Sequence, residues 1–313
     1  MYLVCGEALF DFFLVPDAQA PGSQLSFKAI AGGSPFNVAV GLARLGVEVG
    51  LFAGLSLDHL GRRLRQVLVE EGVVTDHLID LDAPTTLAMV GVDAQGAPQY
   101  SFRGDGCADR QLELCHLPEL DARIKGLHFG SYALVVAPIG DTLLALVERE
   151  SPRRLISLDP NVRLNVEPDL ARWRARIEAF AGHAHLLKVS DEDLALLYPG
   201  QDPEAIVLGW LAQRCELVFL TRGSQGASLF SRRHGQRSLP AQAVATRDTV
   251  GAGDTFQAAL LAYLHEQELD SPEGLAAIAP HQLDAMLGFA VAAAAITCSR
   301  VGPQLPYRDE LQR

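Results

Sequence analysis

Asp248-Thr249-Val250-Gly251-Ala252-Gly253-Asp254-Thr255-Phe256, followed by the apolar, alanine-rich run Gln257–Leu264, decides how the rest of the chain is read. Small residues at 251–253 let the backbone come close to a ligand. The run after them predicts a helix, Thr255–His265. Its first-turn N–H groups lack partners within the helix and, with the helix dipole, suit an anion. Asp254, in that first turn, fits two readings. One is a helix cap or dipole partner. The other is a base that, beside a phosphate cradle, takes a proton from an attacking hydroxyl. The loop is not a Walker A loop, because no Gly-Lys-[Ser/Thr] closes it.

On its N-terminal side, short apolar runs alternate with stretches of helical length. The runs Tyr2–Cys5, Val49–Ala53, Leu127–Phe129, Leu155–Leu158, Leu186–Val189 and Leu217–Leu220 read as strands. Between and after them, Asn37–Leu45, His59–Glu71, Asp141–Arg149, Asp169–Phe180, Asp191–Leu197, Pro203–Arg214 and His281–Cys298 read as helices. This alternation predicts an α/β fold with a mostly parallel sheet and helices on both faces. Solid apolar strands such as Leu217-Val218-Phe219-Leu220 fit burial on both sides.

Two segments break the alternation. Residues 12–30 carry a Pro-Asp and a Pro-Gly turn signal, and 87–103 read as a hairpin around a Gln95-Gly96-Ala97-Pro98 turn. Together they predict a small β lid standing off a single domain of residues 1–313; an ordinary surface loop with an edge hairpin is the plainer alternative. Polar and glycine residues follow most of the strands: Gly6-Glu7, Gly130-Ser131, Asp159-Pro160-Asn161, Ser190-Asp191 and Thr221-Arg222-Gly223. The C-terminal ends of parallel strands are where this architecture keeps its ligand crevice, although turns favour the same residue types.

A second constellation is Ala31-Gly32-Gly33-Ser34-Pro35-Phe36-Asn37, leading into a helix. The glycine pair allows tight or positive-φ backbone. Asn37 suits an N-cap, and its carboxamide equally suits a pair of sugar hydroxyls. A formal net charge of −12 argues against a general nucleic-acid footprint and requires a dedicated local site for any anionic ligand. Five scattered cysteines without a Cys-x-x-Cys pair indicate neither a disulfide framework nor a zinc site, and fit a reducing cytoplasm. The most apolar stretch, Gly288–Ile296, is short for a membrane span, and the N-terminus lacks the basic region of a signal peptide.

These two motifs together resemble the signatures of the ribokinase-like carbohydrate kinase family. Gly32, Gly33, Asn37, Ala39 and Gly46 carry the first, and Asp248 to Leu261 the second. Within that family the chain looks most like bacterial fructokinases, through Gly6-Glu7-Ala8-Leu9-Phe10-Asp11, Asp159-Pro160-Asn161-Val162-Arg163 and Lys188-Val189-Ser190-Asp191-Glu192. The resemblance implies a Rossmann-like domain with a lid, lids pairing in a homodimer, and ATP-dependent phosphorylation of a sugar. It casts Asp254 as base and the amides of Gly251, Ala252 and Gly253 as anion hole. Asp11, Gly33 and Asn37 would hold sugar hydroxyls, with Arg103 and Arg163 on the substrate or its phosphate. Lys188, Thr221, Gly223 and Gly226, with Gly251 and Gly253, would line the ATP site. Asp248 and Val250 would hold K⁺, and Glu192 and Asp193 would face Mg²⁺ through water. Bland alternatives are solvated arginines at 103 and 163, and plain turns at Asp11 and Thr221-Arg222-Gly223.

Two departures from the family pattern stand out: Ser56-Leu57-Asp58 where relatives carry Gly-Asp-Asp, and Ser190-Asp191-Glu192-Asp193 for Asn-x-x-Glu. The expected substrate is fructose. Alternatives are 2-keto-3-deoxygluconate, whose carboxylate would want an arginine, and ribose or a riboside. A non-catalytic sugar- or nucleotide-binding protein is the rival from another class. A nicotinamide-dependent oxidoreductase fails, because no Gly-x-Gly-x-x-Gly follows the first strand.

Overall fold

The computed structural model describes residues 1–15, 23–92 and 98–311. The expected Gln95-Gly96-Ala97-Pro98 turn and the Pro-Asp and Pro-Gly signals of residues 16–22 lie, wholly or in part, outside the described residues. The first half of the chain runs β1 (Tyr2–Cys5), β2 (Leu9–Val15), β3 (Ser26–Gly32), α1 (Ser34–Arg44), β4 (Val49–Ser56), α2 (His59–Glu70), β5 (Leu78–Leu81), β6 (Leu87–Val92), β7 (Pro98–Arg103) and β8 (Gly126–Gly130). It continues through α3 (Ile139–Glu150), β9 (Leu155–Asp159), α4 (Leu170–Ala181), β10 (Leu186–Ser190), α5 (Asp191–Leu197), α6 (Pro203–Ala212) and β11 (Leu217–Thr221). The final part is β12 (Ala227–Ser231), β13 (Gly235–Leu239), α7 (Ala252–Glu266), α8 (Pro272–Ala276) and α9 (Pro280–Cys298).

Nine strands form one sheet in the order β13-β12-β11-β10-β9-β8-β1-β4-β5. It is parallel from β11 to β5, and only β12 and β13 pair antiparallel at one edge. That edge pair is absent from the sequence reading. Ser228, buried and hydrogen-bonded to Ser238 Oγ at 2.7 Å, breaks the apolar run of β12, and the Gln236–Ser238 stretch keeps β13 polar, as an edge strand allows. In the parallel strands, alternate side chains enter opposite cores. Leu217 and Phe219 face the layer made by α1, α2, α7 and α9, while Val218 and Leu220 face α3, α4, α5 and α6. Helices therefore cover both faces, as the sequence predicts.

The chain leaves β1 toward β4 on one side and returns to β8 on the other. This reversal opens a crevice at the strands' C-terminal ends. Beside it, β3, β2, β6 and β7 form a separate four-stranded sheet in that order. On β2 the alternate residues Leu9, Asp11 and Phe13 face the crevice. The strand starts at Leu9, earlier than the break read at residue 12. Its register with β3, Asp11 opposite Ile30, sets which side chains point inward.

α9 is 19 residues long and apolar enough to span a membrane by length and composition. It exceeds the Gly288–Ile296 stretch that stands out in the sequence. It packs against α7, and Leu283, Met286, Leu287 and Ala290 are buried in the domain core.

Candidate active site

α1 and α7 build the centre of the site. Gly41 on α1 lets them approach: a Cβ there would sit 2.8 Å from the Ala258 Cβ of α7. The close crossing brings the first turns of both helices together. Gly251 caps α7 with φ 79°, a left-handed conformation natural to glycine. Asp254 is therefore not the N-cap; it is the third residue of the helix, buried, with its carboxylate between the two helix mouths. Asn37 is not an N-cap either. Gly33, at φ 103°, caps α1, and the helix starts three residues earlier than the sequence indicated. The Pro35 ring within the first turn fits that earlier start. Freed from capping, the Asn37 amide Nδ2 donates to Asp254 Oδ2 at 2.8 Å. Ser34 Oγ donates to Asp254 Oδ1 at 2.7 Å.

The mouth of α7 is less uniform than the glycine pattern implies. The Ala252 N–H donates to the Thr249 carbonyl at 3.2 Å and closes a turn. The amides of Gly251, Gly253 and Asp254 have no backbone partner among the described residues. They are the donors this mouth offers an anion. Beneath them lies Lys188, whose Nζ is 2.8 Å from Asp159 Oδ2 in a fully buried ion pair. A Cβ on Gly253 would come within 3.0 Å of that ammonium, so only a glycine leaves the cation open to the cradle. Burial opposes the Lys188 charge, but Asp159 outweighs it and holds the ammonium above its ordinary value. Burial pushes the Asp159 carboxyl up to about 6 against the pull of Lys188.

A cavity of about 930 Å³ runs past this centre, within the range of small-molecule sites. At one end it is lined by Glu7, Asp11, Gly33, Ser34, Asn37, Phe102, Tyr132 and Arg163. Burial raises the Asp11 carboxyl to about 6, partly offset by Arg163 and reinforced by Asp254. Glu7 is fully buried and pushed up to about 8 by desolvation, with a Ser131 hydrogen bond acting the other way. Its Oε2 has no partner among the described residues. Arg103, assigned to the substrate from sequence, is exposed and off the cavity wall; Arg163 is on it. A guanidinium at the hairpin's base points where solvent solvates it best, and Phe102 faces inward instead.

At the other end the cavity is lined by Thr221, Gly223 and Gly226, then by Ala241 to Val244, Val291, Ala294, Ala295 and Cys298. Gly226, at φ 94°, sits against the Leu239 carbonyl with no room for a Cβ. The 241–244 loop and the α9 face were missed in sequence, because a loop without periodicity and an alanine-rich helix give no contrast. Ser34 was missed although it stands three residues before Asn37, one helical turn away on the same face.

The expected metal residues divide. The Asp248 carboxylate anchors its own turn: Oδ1 accepts from Val250 N at 3.0 Å and Oδ2 from Gly302 N at 2.8 Å. The turn's main-chain carbonyls and the carboxylate's remaining acceptor positions could serve a monovalent ion. Asp193, on the cavity wall, accepts from Val162 N at 2.9 Å and from Ser190 Oγ at 2.7 Å, whereas Glu192, on the same wall, is exposed. No cluster of three metal-ligating side chains occurs among the described residues. Asp58, at the first departure from the family pattern, N-caps α2 and also accepts from the Thr85 N–H and hydroxyl.

A profile for pfkB family carbohydrate kinases matches residues 1–310. The chain is 37% identical over 269 residues to a fructokinase of Rhizobium leguminosarum bv. trifolii, covering 86% of this chain and 81% of that one. The ATP-bound fructokinase of Xylella fastidiosa superposes with a TM-score of 0.88 at 28% identity, covering 99% of this chain and 96% of the other. A fructokinase double mutant of Vibrio cholerae O395, solved with fructose, ADP and potassium ion, superposes at 0.82 with 26% identity, covering 100% and 97%.

Proposed function

The chain belongs to the pfkB family of carbohydrate kinases, and from that premise we propose that it transfers the γ-phosphoryl group of ATP to D-fructose, giving fructose 6-phosphate and ADP. One observation carries the reading: a buried carboxylate and helix-mouth amides without backbone partners among the described residues meet in one cavity, at the junction of its two ends. The sugar occupies the end lined by Asp11, Gly33, Asn37 and Arg163. ATP occupies the end lined by Thr221, Gly223 and Gly226, with its phosphates running toward Gly251 and Gly253.

Asp254 takes the proton of the attacking hydroxyl as general base. The amides of Gly251 and Gly253, with Lys188 beneath, face the charge that builds on the phosphoryl oxygens. In a chain of net charge −12, this focused positive region offsets a field that repels ATP. Glu192 would reach, through water, a Mg²⁺ carried on the ATP phosphates, which would neutralise part of their charge, and main-chain carbonyls near Val250 would hold K⁺. The sheet of β2, β3, β6 and β7 acts as a lid that limits water at the reacting centre. Leu14, Val15, Leu25 and Phe27 are large apolar residues exposed at that sheet, which supports pairing of two lids in a cytoplasmic homodimer.

The test is turnover at fixed ATP across fructose, 2-keto-3-deoxygluconate, ribose and fructose phosphates, with and without potassium. Preference for fructose by tenfold or more in kcat/KM is expected. Preference for 2-keto-3-deoxygluconate would move Arg163 to a carboxylate-binding role and overturn the fructose assignment.

A further inference from the structure

Two protein donors grip the Asp254 carboxylate, and they differ in chemistry. Asn37 Nδ2 donates to Oδ2 at 2.8 Å, and Ser34 Oγ to Oδ1 at 2.7 Å. An amide NH₂ can only donate. A serine hydroxyl donates or accepts, and its hydrogen rotates to suit. A carboxylate offers about four acceptor positions, so two protein donors leave room for a substrate hydroxyl. Ser34 does not cap its own helix: the cap is Gly33, and the Ser34 side chain reaches across to α7 instead. It is buried yet lines the cavity beside Asn37.

We propose that Ser34 is a positioning residue for proton transfer, donating to Asp254 Oδ1 before the transfer and accepting from it afterward. The inference rests on Asp254 being the base. In the step, the sugar O–H bond breaks and its proton goes to Oδ1. The sugar oxygen bonds to the γ-phosphorus as the bridging P–O bond breaks, and that electron pair leaves with ADP. The new Oδ1–H rotates from the sugar's side toward Ser34, which turns its own hydrogen away and accepts it, while the Asn37 bond to Oδ2 stays as it was. The carboxylic acid is thus held in the orientation the carboxylate had, with no reorganisation of backbone. The charged groups facing this carboxylate are Asp11 on β2, Asp159 on β9 and Lys188 on β10. None of them hydrogen-bonds Ser34, so a change at Ser34 leaves their direct contacts intact.

The experiment compares Ser34→Ala, Ser34→Thr and Asp254→Asn as full-length protein, reading kcat, both KM values, the pH profile of kcat and Tm. Ser34→Ala is expected to lower kcat about tenfold, the scale of one hydrogen bond to a charged group. Sugar and ATP KM should stay within about twofold, and the acid limb of kcat should move to higher pH. Ser34→Thr, which keeps the hydroxyl, should recover most of the rate and the original limb. The proposal is overturned if Ser34→Ala keeps kcat within twofold and the limb in place while Asp254→Asn is inactive. A drop in Tm that tracks the lost rate, with the limb unmoved, also overturns it by making Ser34 a strut between helices. Activity in Asp254→Asn would sink the base assignment and this inference with it, a result distinct from either.

Discussion

Glu7→Gln should make the protein more stable at alkaline pH. Glu7 leaves β1 directly into the cavity floor, fully buried, and desolvation holds its carboxyl at about 8 against an ordinary 4.5. A carboxyl raised in the folded state favours folding while both states are protonated. That advantage is lost as pH rises from 4.5, where the unfolded chain ionises, to about 8, where the folded one does. The gap between those values corresponds to roughly 5 kcal/mol as an upper bound, reduced by any water that reaches the site. Glutamine keeps the shape and the hydrogen-bonding capacity and cannot ionise. The assay is chemical denaturation of wild type and variant at pH 5, 7 and 8.5. The two should be closely matched at pH 5, with the variant ahead by a few kcal/mol at pH 8.5. A difference independent of pH, or a variant that falls behind as pH rises, would refute the reasoning.

Three further outcomes follow from the geometry. Asp11 accepts hydroxyl protons best as a carboxylate, so sugar KM should rise as pH falls through about 6, and Asp11→Asn should flatten that dependence. Gly251→Ala places a Cβ 2.8 Å from the Pro303 Cβ at φ 79°, a strain of about 1–3 kcal/mol at the cradle; ATP-dependent kcat/KM should fall about 10- to 100-fold. Lys188→Met strands Asp159 in the interior and should cost about 3–5 kcal/mol in denaturation. Adding Asp159→Asn should recover part of that loss, whereas strict additivity would argue against the pair.

Much of the architecture is legible in the sequence because its parallel strands are apolar on both faces and its helices fall between them. Asp191–Leu197 is read to the residue, since Ser190 caps it and Tyr198 ends it. What escapes is set by tertiary contact. The start of α1 at Ser34 depends on Gly33 holding a positive φ, and periodicity carries no sign of that. β13 lies at the edge with four of its five residues exposed, so its apolar contrast is weak, and β12, though buried throughout, is a short run broken by Ser228. At the site, Gly251, Gly253 and Asp254 are visible because a glycine turn before a helix is a local pattern. The Ser34 bond to Asp254 spans 220 residues, and only the α1–α7 crossing at Gly41 creates it. Arg103 shows the converse: the family resemblance suggested a substrate contact, and in this structure the side chain is exposed and off the cavity wall.

The most direct measurement is the initial rate of ADP release with ATP and fructose for wild type and Asp254→Asn, alongside calorimetric binding of each ligand to both. The account predicts turnover reduced on the order of 10²–10⁴-fold in the variant, as loss of a general base entails, with binding of fructose and nucleotide retained. A variant within about threefold of wild-type turnover, with binding intact, would contradict it.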